Sequence, residues 1–86
     1  MSQHASQRAS ERDITEAQIR TIINNPIETV YDSDSDNYKS YGLATHPSTQ
    51  NDAYLMVLHS KFNTEVLIIT AMWTTTGGLR TNGFKI

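Results

Sequence analysis

The chain has 86 residues, 37% of them hydrophobic and 19% charged, enough for one small globular domain with a modest core. Seven Lys and Arg stand against nine Asp and Glu, a net charge of −2, which argues against a general nucleic-acid binder, usually a basic protein. There is no cysteine, which excludes a disulfide framework and a thiolate metal site. No run is apolar enough for a membrane span or a leader peptide, so a cytoplasmic protein is the expectation.

Residues 3–12 read as a short helix. His4, Arg8 and Arg12 recur at four-residue spacing, which on a helix stacks one imidazole and two guanidiniums along one face. Asp13-Ile14 is the joint to a second helix over 16–25. Thr15 is its N-cap, and Gln18 three residues on completes a capping box. Ile14 before the cap and Ile19 after it form a hydrophobic staple. Ile19, Ile22 and Ile23 make one apolar stripe, and Pro26 ends the helix.

Four strands follow. The first is expected at about 28–32. Asp32-Ser33-Asp34-Ser35-Asp36-Asn37 then has the opening spacing of a calcium loop, but Asn37 stands where glycine is needed and Leu43 where glutamate is needed. It reads as a solvated turn, with no metal site. The second strand, 38–44, sets Tyr38, Ser40 and Gly42 on one face and Lys39, Tyr41 and Leu43 on the other. Gly42 marks a bulge or a close backbone approach. The third strand is 53–59 and the fourth 64–73, joined by a turn at 60–63. Val66 to Ile69 are apolar on both faces, which predicts a central position for the fourth strand. Residues 74–86 leave the sheet pattern. Asn82-Gly83 there signals a small hairpin, or the segment orders on binding. The fold expected is α+β: an N-terminal helical pair packed on a four-stranded, mostly antiparallel β-meander over 1–73, with 74–86 as a tail.

The pattern His-x3-Arg-x3-Arg, then Asp-Ile-Thr, the amphipathic helix and Asn-Pro resembles a small bacterial toxin-like domain family grouped with the RelE, ParE and barnase-type ribonucleases. The resemblance runs from His4 to about Trp73. It implies a metal-independent endoribonuclease held by an antitoxin partner.

The residue types fit that chemistry. Histidine can take or give a proton near neutrality, and arginine grips phosphate with two parallel donors. The candidate catalytic set is therefore His4, Arg8 and Arg12, with His59 as a second acid or base. Lys39, Tyr41 and Arg20 are candidates for holding RNA by charge and stacking. The competing readings are plainer: a solvated, ion-paired face for the arginines, a satisfied strand-end histidine for His59, and packing for the tyrosines. The histidines lack metal-ligand spacing, and no cofactor motif is present. The alternative function is a small binding or inhibitory protein of a phage or mobile element, with the Asp32–Asp36 loop turned to a basic protein surface. A homodimer joined through the apolar fourth strand is a third possibility.

Overall fold

The computed structural model describes residues 7, 12–61 and 65–86. Of the predicted first helix, residues 3–6 and 8–11 lie outside the described residues, and His4 and Arg8 with them. The second helix is present as α1 (Glu16–Asn24). Thr15 caps it in extended conformation. Its hydroxyl accepts from the Gln18 amide at 3.1 Å, and the Gln18 side chain accepts from the Thr15 amide at 3.0 Å. Both donors would otherwise be orphaned at the helix start.

The strands are β1 (Glu28–Asp32), β2 (Asn37–Thr45), β3 (Asp52–His59) and β4 (Ile68–Thr74). They form one antiparallel meander in the order β1-β2-β3-β4. β4 is thus an edge strand, not a central one. Of the apolar run Val66 to Ile69 that suggested a central strand, Val66 and Leu67 precede β4, and Leu67 is 56% exposed. The tail is not a hairpin either. Thr76–Thr81 form α2, capped by the Thr75 hydroxyl. A type I′ turn needs positive φ at both central residues, but Asn82 has φ −87° and only Gly83, at +95°, is positive. The two described helices are therefore not an N-terminal pair: one precedes the sheet and one follows it.

Alternation along the strands divides the core in two. On one face, Leu55, Val57 and Ala71 pack with Ile14, Ile19 and Ile22. Gly42 lies on this face, and a Cβ built on it would sit 2.7 Å from Ile22 Cδ1. The glycine lets the helix approach the sheet closely. On the other face, Tyr41 and Met56 pack with Leu79 and Phe84. The segment after β4 is thus the lid of a second hydrophobic layer.

Arg12 joins the N-terminal side to the β4 edge. Its guanidinium donates to Thr70 Oγ1 at 3.1 Å and to the Ala71 carbonyl at 2.7 Å. The Trp73 indole donates to the Arg12 carbonyl at 2.8 Å. The sequence pattern offers Arg12 as a phosphate-gripping or a solvated, ion-paired side chain. Instead it is partly buried and engaged with β4. Arg12→Ala should therefore lower stability by about 1–3 kcal/mol, more than an ordinary surface change, in a denaturant titration.

Candidate functional site

The sequence-predicted site residues do not gather in one place. Arg20 is exposed on α1 and pairs with Glu16 at 3.4 Å, the i,i+4 arrangement of a solvated helix face. It borders a groove of about 280 Å³ between α1 and the start of β4, lined by Ile19, Ile23, Val66 and Ile68. Lys39 and Tyr41 lie on the opposite face of the sheet. Tyr41 is buried, edge-on to Phe84 at 4.7 Å, so its ring is closed to a nucleobase. Burial pushes its phenol up from the usual value. Lys39 donates to the Asn82 side chain at 3.2 Å and lies 3.9 Å from Asp32. The C-terminal segment therefore takes up both residues proposed to hold RNA on this face.

His59 is the most chemically ordered of the candidates. It is fully buried at the end of β3, and its ring lies 2.7 Å from Ser40 Oγ through Nε2 and 2.6 Å from the Ser60 carbonyl through Nδ1. A carbonyl can only accept, so Nδ1 carries the proton and Nε2 accepts from Ser40. Ser40 must then accept from Thr29, 2.8 Å away on β1. A directed chain of hydrogen bonds thus runs Thr29 to Ser40 to His59 to Ser60. Burial lowers the imidazole pKa, partly offset by the Ser60 carbonyl, and holds the ring neutral. A hydroxyl donating to a neutral imidazole is the arrangement of a nucleophile and its base, but Ser40, like His59, is fully buried. Sequence inspection did not pair Ser40 with His59. Only the β2–β3 register, with Tyr38 opposite His59, brings them together diagonally.

A further feature is the β1 edge and its turn. Among the described residues no strand pairs on the outer side of β1. From 21 to 38 the chain carries Glu28, Asp32, Asp34 and Asp36 and no Lys or Arg. The turn is internally tied. Asp32 accepts from the Asp34 amide and the Ser35 hydroxyl, and Asp36 accepts from the Tyr31 hydroxyl at 2.7 Å, which raises the tyrosine pKa. Among the described residues, no group of three or more His, Asp or Glu is set to hold a metal ion. Ile27 and Tyr31 are 58% and 52% exposed, and Ile27 adjoins this edge while Tyr31 lies on it.

Comparison with known proteins gives one match. A family model described as "Domain of unknown function (DUF4258)" matches residues 1–73. No curated protein and no solved structure matches.

Proposed function

Since the chain belongs to the DUF4258 family, we propose a function from its own chemistry: a small non-enzymatic binding protein that acts on a protein partner. One observation carries this reading. Arg12, Lys39 and His59 are each committed to contacts within the fold, while among the described residues no strand pairs on the outer side of β1, where Ile27 and Tyr31 stand exposed. A cytoplasmic setting goes with it. The partner is a protein rather than RNA, because phosphate is repelled by the carboxylates that crowd this edge.

A second reading is the metal-independent endoribonuclease of a toxin–antitoxin pair. The Ser40–His59 pair supports it by its geometry, a hydroxyl donating to a neutral imidazole, but both residues are fully buried and both ring nitrogens are engaged. In that reading His4, Arg8, Arg12 and His59 would serve the reaction, with Arg12 released from Thr70 and Ala71.

One experiment separates the two. Wild type and His4→Ala are expressed in a bacterial host with growth as the readout, beside cleavage of labelled RNA by the purified proteins. The binding reading expects no cleavage and the same growth for both. Growth arrest by the wild type that is lost in His4→Ala, with metal-independent cleavage lost by about 10²-fold, would establish the ribonuclease.

A further inference from the structure

We infer that the outer edge of β1 is the docking surface, and that its occupant is an extended segment of a partner protein in which Lys or Arg alternates with apolar residues. The inference rests on the protein-binding reading above and names the partner's chemistry.

An unpaired strand edge offers a row of backbone donors and acceptors that another extended chain can complete. The strand's alternation then fixes what that chain must carry. Glu28, Val30 and Asp32 point to the face covered by α2, and Thr29 and Tyr31 to the face covered by α1, as the β1–β2 register requires. A strand laid against β1 would set one row of its side chains beside Glu28 and Asp32, and the other beside the exposed Tyr31 ring. The Glu28 carboxylate accepts from the Lys85 amide at 2.9 Å and keeps its negative charge, while Asp32 lies 3.9 Å from the Lys39 ammonium; a cation therefore suits the place beside Glu28, and apolar groups suit the second row. Asp34 and Asp36 lie at the end of the same strand and extend the negative field past it.

Charge also decides against the other occupants. A second copy paired antiparallel through β1, centred on Val30, would set Glu28 of one against Asp32 of the other. Like charges directly opposite in a sheet are destabilising. A nucleic-acid strand would bring phosphates to the same carboxylates.

The test uses the full chain and three short blocked peptides. The first alternates Lys and Val, the second alternates Glu and Val, and the third is the Lys peptide with one backbone edge N-methylated. Binding is followed by the amide signals of residues 28–32. The expected result is saturable binding of the Lys peptide, with the largest shifts along β1 and an affinity about tenfold or more above that of the Glu peptide. The N-methylated peptide should lose most of that binding, because it cannot donate to the edge. Asp34→Asn should weaken the Lys peptide by about two- to fivefold. Equal binding of the Lys peptide and its N-methylated form would reduce the surface to unspecific charge and overturn strand addition. So would the absence of binding by all three. If Asp34→Asn instead drives self-association without touching peptide binding, the charges guard the edge and recruit nothing. RNA cleavage by the same protein would sink the binding reading while leaving the peptide result to stand alone, so the two failures are distinct.

Discussion

Replacing Ile22 with Asp should leave a chain with no cooperative melting transition at room temperature. Ile22 is 2% exposed, in the cluster where α1 meets Leu55 and Val57. Its Cδ1 reaches into the space that Gly42 leaves by lacking a side chain. The substitution removes a buried apolar side chain, about 1.5–3 kcal/mol of transfer free energy, and leaves a cavity beside it. It also brings a carboxyl into surroundings that offer it only hydrocarbon, at a cost of several kcal/mol whether the group ionises or protonates. A domain of this size is stable by about 4–13 kcal/mol. Ile22→Val should by contrast cost only about 0.5–1.5 kcal/mol. A soluble Ile22→Asp protein that melts cooperatively would show that α1 does not hold the sheet.

His59→Ala should cost about 3 kcal/mol, since it opens a cavity at a fully buried site and strips Ser40 of one hydrogen-bond partner. The ring also makes stability depend on pH. Its folded pKa lies below the ordinary 6.5, so below that value the unfolded chain binds more protons than the folded one. The contribution of the neutral ring is therefore whole above 6.5 and is lost as the pH falls towards the folded value. Denaturant titrations of wild type and His59→Gln across that range should converge on the acid side. Parallel curves would mean that the imidazole is not held neutral by the fold.

The elements that declared themselves in the sequence are those with a local cause. Thr15 and Gln18 specify a helix start by reaching each other's backbone, and Pro26 specifies its end. Strand alternation set Tyr38, Ser40 and Gly42 on one face before any contact was known. What stayed hidden depends on distant partners. β4 looked central because of the run Val66 to Ile69, half of which precedes the strand, and the second layer is built from Leu79 and Phe84, which follow a Gly-Gly pair with no helical pattern. Asn82-Gly83 carried a hairpin signal that the end of α2 absorbed. Arg12 matched a phosphate-binding pattern as well as it matches a strand-edge clasp, because both use the same guanidinium fork. The acidic run was visible at once, but that it borders an open edge follows only from the strand order.

The strand order also bears on how the chain reaches this state. Each strand pairs with its neighbour in sequence, so the meander can assemble hairpin by hairpin with short loops to close. Two connections are of another kind. Arg12 reaches Thr70 and Ala71 over 58 and 59 residues, and the Lys85 amide reaches back to Glu28 over 57. Both need the sheet as a template, so they are expected to form after it. Contacts made late in folding leave the folding rate nearly unchanged and slow the reverse step. Arg12→Ala and truncation of the segment after β4 are thus expected to speed unfolding while leaving the folding rate nearly unchanged, in stopped-flow measurements of both.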